Sequence, residues 1–183
     1  MNLPNKLTVA RIILVPFYLA AMVFEFPCHF IVAAVIFVVA SFTDMLDGKI
    51  ARKTNQITVF GKLCDPLADK MLITAALLAF MELGICNIWI PMIILTREFL
   101  VTSFRLVSSA QGVVIPASIW GKLKTVSQMV FSTAIIVALA VHGVVNDTFG
   151  LVCNILLGIT AFLTVISGIK YIVDGANLID ITK

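Results

Sequence analysis

What this sequence has least of is charge. Asp, Glu, Lys and Arg make up only 13% of its 183 residues, where a soluble domain carries roughly 25%. Hydrophobic residues make up 61%, and the mean hydropathy is +1.10. So few charges cannot cover a water-facing surface, so the expected solvent for most of the chain is lipid. Cysteine pairing is missing as well. Cys28, Cys64, Cys86 and Cys153 show no CxxC or CxH spacing, which argues against a zinc module or a disulfide framework and leaves them as small apolar filler. No repeat or low-complexity tract breaks the pattern, and no nucleic-acid polymer is expected as a partner. Nor does the first apolar run read as a cleavable signal. It is long, is interrupted by Pro16, and ends at Glu25-Phe26-Pro27 where a small-residue cleavage site would be needed.

What is present is a series of apolar stretches. A membrane-crossing helix needs about 20 mostly apolar residues, and six segments fit: Leu7–Phe26, Phe30–Ile50, Gly61–Leu83, Ile88–Ser109, Gly121–His142 and Phe149–Val173. Pro27, Thr54-Asn55, Gly84, Gly112 with Pro116, and Gly143 through Asp147 punctuate them. The close spacing leaves no room for a separate soluble module, so one domain over residues 1–183 is expected. The fold class is therefore all-α, a polytopic membrane protein of six transmembrane helices.

A second absence orients it. The connections around Glu25–His29, Glu82–Asn87 and His142–Thr148 hold no lysine or arginine. Basic residues concentrate on the cytoplasmic side of membrane proteins, so these three connections face outward. With six spans both termini are then cytoplasmic, and charged substrates arrive from that side.

Ionisable groups inside a span are costly and mark sites by default. Asp44 and Asp47 stand three apart near the cytoplasmic end of the second segment, and Asp65 and Asp69 four apart at the start of the third. These separations put each pair on one helix face. Four neighbouring carboxylates need compensation, and a hard divalent cation provides it. Mg²⁺ suits such a site, with a few carboxylates and a shell completed by water or phosphate. Two metals would clamp both oxygens of an in-line phosphoryl displacement. Gly48 allows a ligand close to the backbone, Arg52 offers a planar fork for phosphate, Gly61 leaves room for a nucleotide, and Thr58 supplies a hydroxyl. The plain alternative is that the aspartates pair with Lys49, Lys53, Lys62 or Lys70. A cation-coupled transporter is the rival from another class, but it needs polar residues along a whole route, and the outer halves of these segments are almost wholly apolar.

The stretch Asp44-x2-Asp47-Gly48-x2-Ala51-Arg52-x8-Gly61-x3-Asp65-x3-Asp69 resembles the signature of the CDP-alcohol phosphotransferase family at every defining position. Three further segments are similar to the branch of that family whose acceptor is glycerol 3-phosphate. They are Leu3-Pro4-Asn5-Lys6-Leu7-Thr8-Val9-Ala10-Arg11, Thr96-Arg97-Glu98-Phe99 and Gly121-Lys122-Leu123-Lys124-Thr125. The resemblance implies metal ligation by Asp44, Asp47, Asp65 and Asp69, with Asp69 also the catalytic base. The metal would be Mg²⁺ or Mn²⁺, two per site. Gly48, Ala51, Arg52, Thr58 and Gly61 would line the site for CDP-diacylglycerol. Asn5, Thr8 and Arg11 recur every third residue, forming a polar stripe that either lines the nucleotide end or anchors the first helix at the interface. The implied activity is phosphatidyl transfer to glycerol 3-phosphate in phospholipid synthesis. Inositol phosphate, serine or phosphatidylglycerol are the alternative acceptors. A homodimer in the cell (inner, cytoplasmic) membrane, with a polar active-site cavity open to the cytoplasm, is implied as well.

An acceptor carrying a phosphate needs fixed cations. Arg97, near mid-depth in the fourth segment, is a candidate, unless it bridges to Glu98 or to an aspartate. Arg105 lies about two turns nearer the cytoplasm. Lys122 and Lys124 open the fifth segment, and being two residues apart they cannot both point inward from a regular helix.

Overall fold

The computed structural model describes residues 3–54, 59–111, 118–143 and 145–176; the side chains at 3–4, 44–54, 59–66, 69, 110 and 176 lie outside the described set. Among the described residues the chain is all-helical. Six helices follow one another: α1 Leu3–Val23, α2 His29–Thr54, α3 Val59–Glu82, α4 Trp89–Ala110, α5 Ile119–His142 and α6 Asp147–Ala176. Each expected segment coincides with one helix, with ends shifted by a few residues. The first helix starts earlier than its apolar run because Pro4 sits in the opening turn, where a missing N–H costs nothing.

Among the described residues, three helical stretches are long and apolar enough to cross a membrane: Asn5–Val23, Ile119–His142 and Asp147–Gly175. In α2 the apolar part is the shorter His29–Thr43. In α4 the charges of Arg97, Glu98 and Arg105 interrupt the apolar composition.

Glycine ends two of the helices. Gly84 has φ +71°, its N–H donates to the Met81 carbonyl at 2.9 Å, and the Ile85 N–H donates to Phe80 at 3.0 Å. That 6→1, 5→2 pair closes α3 in a Schellman motif. Gly143, at φ +65°, closes α5 with a single bond to the Leu139 carbonyl at 2.8 Å, the simpler left-handed stop. A side chain would be strained at either position.

Backbone contacts divide the chain into two compact units. The first holds Met1–Ile85 and Thr133–Asp147, the second Cys86–Ser132 and Thr148–Lys183. In the first, α1 packs against α2 and α3, which also touch each other. The fully buried rings of Tyr18 and Phe37 lie 5.5 Å apart and join α1 to α2. At the turn between these helices, the His29 Nδ1 hydrogen-bonds the Ala21 carbonyl at 3.1 Å. The apolar side chains Ile13, Phe17, Val35 and Val38 stand exposed, while Thr8 and Arg11 are buried.

The second unit repeats this arrangement. On α6, Leu151, Ile155, Phe162 and Ile169 are exposed, whereas Thr160, Thr164 and Ser167 are fully buried. Phe104 of α4 meets Tyr171 of α6 edge-on at 6.1 Å, and the Asn87 N–H donates to Asn154 Oδ1 at 2.8 Å. Apolar side chains outside and polar ones inside would be penalised in water, but in lipid only the interior can satisfy a polar group. The chain is a multi-pass membrane protein.

Candidate active site

Helical backbone runs through all four aspartate positions. Asp44 and Asp47 fall within one turn of α2, Asp65 and Asp69 within about one turn of α3. Those two helices are consecutive and in contact. The side chains of the four aspartates, and of Ala51 and Arg52, lie outside the described residues, as does the surrounding space at Gly48 and Gly61, and all of Thr58. As a donor set, carboxylate oxygens alone fit a hard cation such as Mg²⁺ or Mn²⁺, and offer no soft ligand for others.

The polar stripe on α1 turns inward. Asn5, Thr8 and Arg11 are 7%, 0% and 1% exposed. Arg11 is among the largest fully buried side chains. An interfacial anchor would leave its charged head in water, so the stripe belongs to the interior of the first unit. A cavity of about 660 Å³ also lies in this unit, lined by Met22, Glu25, Phe26, His29, Leu83 and Gly143 among others. None of the sequence-predicted site residues lines it.

In the second unit the structure resolves the cations. Glu98 is their centre, and one of its oxygens serves two of them. The Arg97 Nη1 donates to Glu98 Oε1 at 2.9 Å, and the Lys124 Nζ donates to the same oxygen at 2.6 Å. The three side chains are 13%, 19% and 4% exposed. Arg97 therefore does bridge to Glu98, and it also donates from Nη2 to Ser167 Oγ on α6 at 2.6 Å. Its Nε is buried with no hydrogen-bond partner. A guanidinium carries five donors in a planar fork, so these two bonds leave it capacity for an anion. The formal charges of Arg97, Glu98 and Lys124 sum to +1.

Lys122 is exposed where Lys124 is buried, as a two-residue offset on a helix requires. Arg105 is exposed too, and its carbonyl accepts from Ser108 Oγ at 3.0 Å. It does not join the Arg97–Glu98–Lys124 group.

Sequence reasoning found only one of these partnerships, that of Arg97 with Glu98. It named Glu98 only as one possible bridge, and passed over Ser167 on α6. It also missed two polar rows buried among apolar neighbours. Lys124, Gln128 and Ser132 recur every four residues on α5; Thr160, Thr164 and Ser167 follow at four and three on α6. The signal was available, since a polar residue repeating at helical spacing within an apolar helix marks its inner face.

Comparison with known proteins defines the class. The family model described as CDP-alcohol phosphatidyltransferase matches residues 1–166, and this chain belongs to that family. Individual relatives are more specific. Over 182 residues, covering 93% of both chains, it is 37% identical to the CDP-diacylglycerol--glycerol-3-phosphate 3-phosphatidyltransferase of Bacillus subtilis (strain 168). The protein of the same name from Rickettsia bellii (strain RML369-C) is 40% identical over 170 residues, again with 93% of each chain covered. That from Haemophilus influenzae is 35% identical over 188 residues, covering 98% of this chain and 96% of the relative.

Proposed function

We propose that this chain transfers the phosphatidyl group of CDP-diacylglycerol to glycerol 3-phosphate, giving phosphatidylglycerophosphate and CMP. The observation that carries the reading is its similarity, along nearly the whole chain, to several enzymes named for that reaction. The buried cation group agrees with it. A phosphomonoester acceptor needs fixed positive charge, and the Arg97 guanidinium offers donors beyond its bonds to Glu98 and Ser167.

The reaction is an in-line displacement. The acceptor's primary hydroxyl attacks the phosphorus attached to diacylglycerol, the phosphoanhydride bond to CMP breaks, and CMP leaves with the electron pair. Asp69 takes the hydroxyl proton as general base. Asp44, Asp47, Asp65 and Asp69 would hold two divalent cations, Mg²⁺ or Mn²⁺, which would supply positive charge to neutralise the pyrophosphate oxygens. Gly48, Ala51, Arg52, Thr58 and Gly61, with the α1 stripe of Asn5, Thr8 and Arg11, bind and orient the donor. Arg97 and Lys124 hold the acceptor phosphate, with Arg105 and Lys122 attracting it from exposed positions.

The wider setting belongs to the same reading. All six helices cross the cell (inner) membrane with both termini in the cytoplasm, and the polar active-site cavity opens to that side. The three connections without lysine or arginine support this. The enzyme works as a homodimer, as the family resemblance implies. The test is purified protein with CDP-diacylglycerol and a panel of acceptors, scoring CMP and the lipid product. Glycerol 3-phosphate should be consumed in strong preference to serine, inositol phosphate and phosphatidylglycerol. Preference for any other acceptor overturns the assignment.

A further inference from the structure

Arg97 is held from α6 at two neighbouring positions. Ser167 accepts a hydrogen bond from its Nη2 at 2.6 Å. At the next residue, a Cβ added to Gly168 would meet the Arg97 Cγ at 3.0 Å and its Cβ at 3.9 Å. An alanine at 168 would thus press on the stem of Arg97, which must give by a few tenths of an ångström, and Ser167 fixes the far end of the same side chain. Glu98 fixes Nη1. With the stem and both terminal nitrogens located, Nε is left as a buried donor with no partner.

We infer that Ser167 and Gly168 are positioning residues for acceptor recognition: together they seat Arg97 so that its guanidinium edge meets the acceptor's phosphate. The inference rests on the reading of Arg97 as a ligand of that phosphate. Neither α6 residue touches substrate; both act through the arginine. The stem cannot escape the added methyl of Gly168→Ala by a small rotation without moving a head anchored at two points. The displacement is therefore passed along the side chain to the guanidinium.

The test compares Gly168→Ala, Ser167→Ala, Ser167→Thr and Arg97→Ala in the full-length protein, measuring KM for each substrate and kcat. A hydrogen bond to a charged group is worth about tenfold or more in binding. Ser167→Ala should raise the glycerol 3-phosphate KM about tenfold and Gly168→Ala should raise it in the same direction, with the CDP-diacylglycerol KM unchanged in both. Ser167→Thr keeps the hydroxyl and should recover most of the loss. Gly158→Ala, on the same helix with nothing within 4 Å of the added carbon, is the control and should match the wild type. In the Arg97→Ala background, Gly168→Ala should add no further effect on acceptor KM.

The outcomes separate. If Arg97→Ala itself leaves the acceptor KM unchanged, the reading of Arg97 fails and takes this inference with it. If Arg97→Ala raises it but Gly168→Ala and Ser167→Ala do not, the α6 seat alone is refuted. Equal losses for both substrates, or a fall in kcat alone, would refute it too, because they would mark a merely structural role.

Discussion

Replacing Glu98 by glutamine removes one negative charge and almost no volume. Arg97 Nη1 and Lys124 Nζ touch one carboxylate oxygen at 2.9 and 2.6 Å, so their nitrogens stand no more than about 5.5 Å apart. At an effective dielectric near 20, two unit charges at that separation repel by roughly 3 kcal/mol. In the native protein the carboxylate outweighs this; Glu98→Gln removes that compensation. All three side chains are at most 19% exposed, so solvent screens the repulsion poorly. Breaking a buried pair by removing one partner typically costs ~3–5 kcal/mol, which agrees with the Coulomb figure. We expect Glu98→Gln in detergent to melt on the order of 10 °C below the wild type. Glu98→Gln/Lys124→Met, which deletes the second cation as well, should regain much of the loss. Saturating glycerol 3-phosphate should stabilise Glu98→Gln more than the wild type, since its phosphate supplies the missing negative charge. A melting temperature unchanged by Glu98→Gln would refute the argument that this carboxylate holds the two cations together.

Chelation with EDTA should abolish turnover and Mg²⁺ or Mn²⁺ should restore it; activity in fully metal-free protein would sink the metal assignment. Asp69→Asn keeps the shape but removes the carboxylate assigned above as base, and kcat should fall ~10²–10⁴-fold, read from CMP release at saturating substrates. Lys124→Ala should raise the acceptor KM well above Lys122→Ala, because only Lys124 is buried against Glu98; equal effects would put the phosphate elsewhere. In a cysteine-free background, a cysteine at Thr54 should react with an impermeant thiol reagent only from the cytoplasm, and one at Asp147 only from outside. The reverse pattern would invert the topology.

Most of the architecture was legible because its cause is one-dimensional. A helix in lipid must be long and apolar, and breaks such as Gly84 and Gly143 show in sequence because the left-handed turn selects glycine. The inward turn of the α1 stripe could be posed but not decided from spacing, since a three-residue step fits an interfacial anchor equally well. Burial of Arg11 at 1% decides it. Lys122 and Lys124 presented the same limit: the helix period says that one is inside, and only the neighbouring Glu98 says which. The α6 contribution was hidden for a different reason. Ser167 lies 70 residues from Arg97, and a lone serine in an apolar helix differs little from a space-filling residue until its partner is seen. Gly168 carried less signal still, because what it provides is an absence of atoms.

The glycine endings of α3 and α5 bear on how the chain encodes direction. A helix C-terminus attracts lysine or arginine, whose charge answers the exposed carbonyls. Here α3 has no basic residue in its last turn, and α5 has only His142. Backbone N–H groups folded back by Gly84 and Gly143 answer those carbonyls instead. Chain termination is thus spelled in conformation, which leaves charge free to encode orientation. A lysine introduced at these turns to strengthen a helix end would therefore also cast a vote on which side of the membrane that end belongs.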